Sequence, residues 1–165
     1  MPRILHVLDH SLPLHSGYTF RTRAILKSQI GAGWEVRGLT GVRQYQHGKQ
    51  PDGDREEAEG LQFFRTPHLV SGPSGLREWR EIRALERRII QVHREWPFDI
   101  VHAHSPALNG LAAARAAARL GLPFVYEIRA FWEDAAVGNG TGAEGSLSFA
   151  GDVPVTVQEW SRYFA

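Results

Sequence analysis

The chain has 165 residues, 42% of them hydrophobic and 22% charged, with a formal net charge of +1. That length suits about one domain with a sizeable core, and the near-zero charge makes no global case for a nucleic-acid partner. Cysteine is absent and Lys27 and Lys49 are the only lysines, which excludes disulfides and thiolate metal sites and leaves few candidates for a phosphate-binding lysine.

Arg3 to Asp9 reads as a buried first strand, because Ile4, Leu5, Val7 and Leu8 are nearly continuous, as in a strand covered on both faces. It follows the N-terminus without a signal-like apolar stretch, and no later apolar run nears about 18 residues. A cytoplasmic chain is expected, with peripheral contact at the inner membrane face left open. The loop Asp9 to Tyr18 holds turn formers, His10, His15, Ser16 and Gly17. Thr19 is placed to cap a helix that runs to about Ile30 and ends at Gly31, with Phe20, Ala24, Ile25 and Ile30 as an imperfect apolar stripe.

Trp34 to Thr40 reads as the second strand. Gly41 to Gly60 is polar, with a turn at Pro51, Asp52 and Gly53, and is expected to be a solvated connection. Leu61 to Arg65 forms a short third strand and Pro67 to Gly75 a loop. From Leu76 to Trp96 the apolar positions Trp79, Ile82, Leu85, Ile89 and Val92 recur in steps of three and four, predicting an amphipathic helix. The interleaved signs of its arginines and glutamates predict a solvated face rather than a nucleic-acid site.

The most informative stretch follows. Asp99 to Ala103 is a β-rich run too short for a helix; Ser105 and Pro106 suit a helix start, by hydroxyl capping and by a first-turn proline. An alanine-rich helix then runs to Leu120, where Gly121 allows a left-handed exit and Pro123 prevents continuation, and Phe124 to Ile128 is the next strand. This is a β-α-β unit with parallel strands. Val137 to Gly145 is glycine-rich, and Val153, Val155 and Val157 alternate as a strand fragment that Pro154 keeps at an edge.

The alternation of elements predicts an α/β, Rossmann-like, doubly wound and mostly parallel sheet. Its first and fourth strands are expected to be neighbours at the point where strand order reverses, and ligands of such sheets bind there, beyond the carboxyl ends of the strands. The loop Asp9 to Gly17 then faces His104 to Asn109, with Arg129 to Asp134 alongside.

Gly17 permits close approach of a ligand to the backbone, and the following helix start favours anions, although a lone glycine also serves an ordinary turn. No GxGxxG follows the first strand, so dinucleotide binding is not indicated. His102 and His104 share a face of one strand and can both reach a metal. The favoured rival packs one in the sheet and leaves the other to hydrogen-bond, because no carboxylate or third histidine sits at supporting spacing; His10 and His15 keep the metal reading open. Arg129, Glu133 and Asp134 flank Phe131 and Trp132. These suit a phosphate, a sugar hydroxyl and stacking on a sugar ring, or equally a surface loop with one ion pair.

The stretches ILHVLDHSLPLHSGYTFRTRAIL, DIVHAHSPALNGLAAARAAARLGLP and FVYEIRAFWEDAAV together resemble the N-terminal domain of family 4 (group 1) retaining glycosyltransferases of the GT-B fold. They look most like the exosortase-associated exopolysaccharide subgroup. The resemblance spans about Arg3 to Leu147 and implies an acceptor-side domain over 1–147, with residues 148–165 as an atypical tail from a frameshift or truncation. It implies His104 and Arg129 as catalytic residues, Arg129 standing where many members carry a histidine. Ser16, Gly17, Tyr18, Ser105, Asn109, Trp132 and Glu133 are then expected to bind substrate. It further implies a nucleotide-sugar donor, a glycan or lipid-linked acceptor, no cofactor or metal, and a separate C-terminal donor-binding domain without which the chain is inactive. A metal-dependent hydrolase using the HxH pair, and a non-catalytic binding module, are the alternatives.

Overall fold

The structure, a computed structural model, describes residues 1–46, 53–67, 70–73, 75–129, 146–149 and 153–156. Alternation along the first strand sets the two faces of its main sheet. In β1 (Arg3–Leu8), Leu5 and Val7 enter one apolar cluster while Ile4 and Leu8 enter another, the period of two expected of a strand buried on both sides. His6 lies on the second face and is itself fully buried.

The chain continues through α1 (Gly17–Gly31), β2 (Glu35–Thr40), a 3-10 helix (Val42–Gln46), β3 (Arg55–Ala58), β4 (Leu61–Phe64), α2 (Leu76–Glu95), β5 (Ile100–His104), α3 (Ala107–Leu120) and β6 (Phe124–Glu127). The sheet order is β3-β4-β2-β1-β5-β6, parallel throughout except for the antiparallel β3–β4 pair. The first strand therefore lies beside β5, the fourth of the expected strands, and the order reverses between them. Leu26 of α1 packs with Ile4, Leu8, Val36 and Phe63, whereas α2 and α3 pack on the face that carries Leu5, Val7, Leu39, Val101 and Ala103. This is the doubly wound Rossmann-like architecture.

Several local expectations change. Gly41 to Gly60 is not merely a connection: it supplies the 3-10 helix and the edge strand β3, whose REEA sequence lacks the apolar residues that mark a strand and is held by pairing with LQFF of β4. Ser16, not Thr19, caps α1, accepting from the Thr19 amide at 3.1 Å. The buried residues of α1 are Thr19, Thr22 and Leu26, while Phe20 and Ile30 are exposed; two threonines on the inner face had masked the stripe. Helix α3 has Pro106 at its N-cap without a side-chain bond, because the Ser105 hydroxyl donates instead to the Glu127 carbonyl. Gly121 takes the left-handed exit at φ 67° as expected.

Helix α2 buries Ile82, Leu85, Ile89 and Val92, each removing apolar surface worth about 2 kcal/mol from water. Trp79, on the same sequence stripe, is 51% exposed. The charged face is only partly solvated, since Glu81, Glu86 and Arg88 are buried. Glu86 lies 3.1 and 3.0 Å from the Nε atoms of Arg115 and Arg119 and so ties α2 to α3. Two glycines permit close layers. A Cβ at Gly38 would come within 2.5 Å of the Phe63 ring, and one at Gly110 within 2.8 Å of the Tyr126 ring.

The contacts divide the chain into two compact units, Met1–Glu127 and Ile128–Ala165. In the second, β7 (Ser146–Phe149) and β8 (Val153–Thr156) pair antiparallel. The expected fragment at Val153 and Val155 is thus a strand in a two-stranded sheet, with Pro154 opposite Ser148. The glycine-rich segment 137–145 lies outside the described residues.

Candidate functional site

The parallel strands β1 and β5 end side by side, so the loops that leave them emerge at one edge of the sheet. The first loop is fixed by an arginine from β4's end. Arg65 is fully buried; its Nη1 donates to Ser11 Oγ at 2.7 Å and Thr40 Oγ1 at 3.1 Å, and its Nη2 to the Leu12 carbonyl at 2.6 Å. Glu56 of β3 accepts from Nε and Nη2 at 2.9 and 2.7 Å. Burial pushes the Arg65 guanidinium below its ordinary pKa, opposed by Glu56. Gln44 adds a clasp, accepting from the Ser11 amide at 2.8 Å.

Held in this way, the loop presents a hydrogen-bonded chain. Asp9 Oδ2 is 3.0 Å from His10 Nδ1, and His10 Nε2 is 2.8 Å from Ser16 Oγ. Ser16 is half-buried, and its hydroxyl also caps α1. The Tyr18 hydroxyl accepts from the Asp9 amide at 3.2 Å, and its ring lies against His10 with centroids 4.7 Å apart. Gly17 is exposed, and a Cβ there would meet nothing within 4 Å. The first helical turn is therefore open to a ligand, beside main-chain amides that favour negative charge.

The second loop approaches the same region. Asp9, Gly41, Val42, Arg43, Glu81, Ile82, Leu85, Leu108 and Asn109 line one cavity of about 20 Å³, room for about one water or hydroxyl. Asp9 is 6% exposed, and its Oδ1 makes no hydrogen bond among the described residues. Asn109 is buried and donates from Nδ2 to the His104 carbonyl at 3.4 Å, a long bond. Arg43 and Glu81, both largely buried, pair at 3.2 Å across the cavity wall.

His104, expected among the catalytic residues, is fully buried on the α1 face. Its Nε2 is 2.8 Å from His6 Nδ1 and its Nδ1 is 2.9 Å from Glu127 Oε2. Both of its ring nitrogens are thus engaged with neighbouring side chains, which fixes the ring at the end of β5. The companion His102 stacks on it, centroids 4.4 Å apart, with Nε2 3.6 Å from Glu127 Oε2. The ground for setting aside the metal reading thus fails: a third histidine, His6, and a carboxylate, Glu127, both reach the pair. Neither His10 nor His15 belongs to this cluster.

Of the remaining expected residues, Ser105 is buried, its amide and hydroxyl both donating to the Glu127 carbonyl at 3.0 and 3.3 Å. Arg129 is half-buried in the second unit, and Trp132 and Glu133 lie outside the described residues. Sequence reasoning missed Asp9, His6, Arg65 and Glu127. His6 was accessible in principle: with β1 beside β5, its place between Ile4 and Leu8 puts it on one face with His102.

A sequence model described as the glycosyl transferase 4-like domain matches residues 16–156. The chain belongs to that family. The solved structures give the fold alone at their low identities. Sucrose-phosphate synthase from Thermosynechococcus elongatus superposes with a TM-score of 0.61 at 12% identity, over 87% of this chain and 36% of that one. MurG from Acinetobacter baumannii gives 0.51 at 13%, over 94% and 45%. The C-terminal domain of the PF1911 hydrogenase from Pyrococcus furiosus gives 0.51 at 10%, over 76% and 91%, so this architecture alone does not carry one activity. Comparison with curated proteins gave no match. The glycosyl transferase 4-like chain therefore spans about a third of the synthase and under half of MurG, and its Rossmann-like sheet matches part of these GT-B chains. Among the described residues no helix is long and apolar enough to cross a membrane.

Proposed function

We propose that the chain is the acceptor-side half of a retaining glycosyltransferase, which moves a sugar from a nucleotide sugar to a glycan or lipid-linked acceptor in exopolysaccharide synthesis. The observation that carries this reading is the meeting of the β1 and β5 loops at the reversal of strand order, with Asp9 and Asn109 lining one cavity, in a chain of the glycosyl transferase 4-like family. The exosortase-associated subgroup is favoured by the stretch LDHSLPLHSGYTF, which carries the Asp9–His10–Ser16 chain.

In this proposal the open first turn at Ser16, Gly17 and Tyr18 receives the donor diphosphate and the reacting sugar. Positive ends of helices and side chains then stabilise the charge that develops on the departing group. Asn109 and the Asp9 carboxylate orient acceptor hydroxyls. His104 and Ser105 hold the β5 end in place. Most of the donor contacts are assigned to a partner domain, so these 165 residues bind sugar ligands weakly and without transferring them; contact with the membrane surface would deliver a lipid-linked acceptor.

The test uses the space at Gly17. Gly17→Trp attaches its side chain at an exposed position where no atom lies within 4 Å of the added Cβ, and it places an indole at the mouth of the site; circular dichroism checks that the variant folds. Calorimetric titration with UDP-glucose and with neutral oligosaccharides is expected to show weak binding that Gly17→Trp reduces at least tenfold. Equal binding by the folded variant, or sugar transfer by the isolated chain, would contradict the assignment.

A further inference from the structure

The fully buried histidines His6 and His104 face one another with Nδ1 and Nε2 2.8 Å apart, and the opposite nitrogen of each ring meets an oxygen. His6 Nε2 lies 2.7 Å from Gln29 Oε1 in α1, and His104 Nδ1 lies 2.9 Å from Glu127 Oε2 in β6. The Glu127 carboxylate accepts, so His104 Nδ1 carries hydrogen, and with the Gln29 amide oxygen turned toward it His6 Nε2 carries one as well. Each neutral ring then turns its lone pair inward. Two lone pairs at 2.8 Å repel unless a cation lies between them.

His102 completes the arrangement. It is in register with His6 across the β1–β5 ladder, stacks on His104, and brings one ligand atom into a set of three that all lie within 4.8 Å of one another. A ligating histidine held at its other nitrogen by a carboxylate or carbonyl is the outer-shell pattern that fixes tautomer and ring orientation at metal sites. All-imidazole donors suit zinc, copper, nickel or cobalt better than magnesium or calcium. At Zn–N lengths near 2.0–2.1 Å, tetrahedral nitrogens stand roughly 3.3 Å apart. The inner pair would have to open by about half an ångström. Arg21 Nη2, 2.8 Å from Glu127 Oε1, offsets the carboxylate, so the site relies on its imidazoles rather than on net charge.

We propose that His6, His102 and His104 form a binding site for a divalent transition-metal ion, zinc by preference, with Glu127 and Gln29 as the outer partners. The ion enters on the side of His102, whose side chain is 17% exposed, and it staples β1 to β5 just below the loops of the candidate sugar site. Its role is structural, and it is independent of glycosyl transfer.

The chain, made without a polyhistidine tag, is stripped with a chelator, exchanged into clean buffer and titrated with zinc and with cobalt(II). Expected are one metal per chain after gel filtration, by elemental mass spectrometry, a visible cobalt absorption of low-coordinate type, and a rise in Tm with zinc. His102→Ala, at the partly exposed position, is expected to weaken retention at least tenfold, whereas His10→Ala and His15→Ala retain the metal. Circular dichroism confirms that each variant folds. If His102→Ala does not fold, ring 15N shifts of His6 and His104 in the wild-type chain, moving on zinc addition, replace it. Less than a tenth of an equivalent retained by the wild type would overturn the site, leaving the rings joined by a proton or by a Gln29 amide turned to donate. Undiminished retention by His102→Ala would overturn it equally.

Discussion

Removing Arg65 tests whether the site loop is held from beneath. Arg65→Ala deletes donors to Ser11 Oγ, Thr40 Oγ1, the Leu12 carbonyl and Glu56. A hydrogen bond to a charged group contributes about 1.5–3 kcal/mol, and a buried acceptor left without a donor costs about 1–3 kcal/mol. Glu56 has a side chain 26% exposed and recovers water, which limits the total to about 3–5 kcal/mol, the range for breaking a buried ion pair from one side. Arg65→Lys keeps the charge but loses the fork and is expected to cost about half as much. Urea melts followed by circular dichroism should show the Arg65→Ala midpoint falling by roughly 2 M, and Tm falling by about 10–15 °C. Faster amide exchange at Ser11, whose N–H donates to Gln44 Oε1, and at Leu14, whose N–H donates to the Ser11 carbonyl, should accompany the loss. An Arg65→Ala variant as stable as the exposed-site control Arg87→Ala would refute this reasoning.

Other perturbations act elsewhere. Gly38→Ala forces a Cβ to 2.5 Å from a Phe63 ring carbon, and overpacking of that kind is expected to cost about 1–3 kcal/mol in a thermal melt, against no measurable cost for Gly31→Ala, where nothing lies within 4 Å. Ser16→Ala removes the N-cap of α1 and should cost about 1 kcal/mol; a neutral result would mean that another group caps the helix. Glu35 is held below the ordinary carboxyl value of 4.5, first by the Trp96 indole N–H and then, against burial, by Arg3. Its contribution to stability is therefore full above pH 4.5 and is lost as pH falls through the lower folded value. Stability measured across that acid range should fall more steeply for wild type than for Glu35→Gln, and parallel profiles would remove Glu35 from the acid response.

Legibility followed the physical signal that each segment carries. Helix α2 announced itself through Ile82, Leu85, Ile89 and Val92, and the β5-α3-β6 unit through Gly121 and Pro123, because apolar periodicity and chain terminators are local. Strand β3 did not, since REEA owes its conformation to a neighbour rather than to its own residues. The inner threonines of α1 carry no apolar mark, and Arg65 reads as surface until its five acceptor contacts are seen. At the site, Ser16 and Gly17 stood out by turn chemistry and HxH by spacing. The joining of His6 to His104 across 98 positions, and of His104 to Glu127, depends on strand order, which no single segment encodes.

The most direct measurement is a two-dimensional 15N NMR titration of the labelled chain with UDP-glucose and with an oligosaccharide acceptor. Amide shifts should concentrate at Asp9 to Thr19 and at Ser105 to Asn109, on both sides of the crevice between β1 and β5. Shifts confined to the outer face of α2, or none at millimolar ligand, would contradict a sugar-binding site at the carboxyl edge of this sheet.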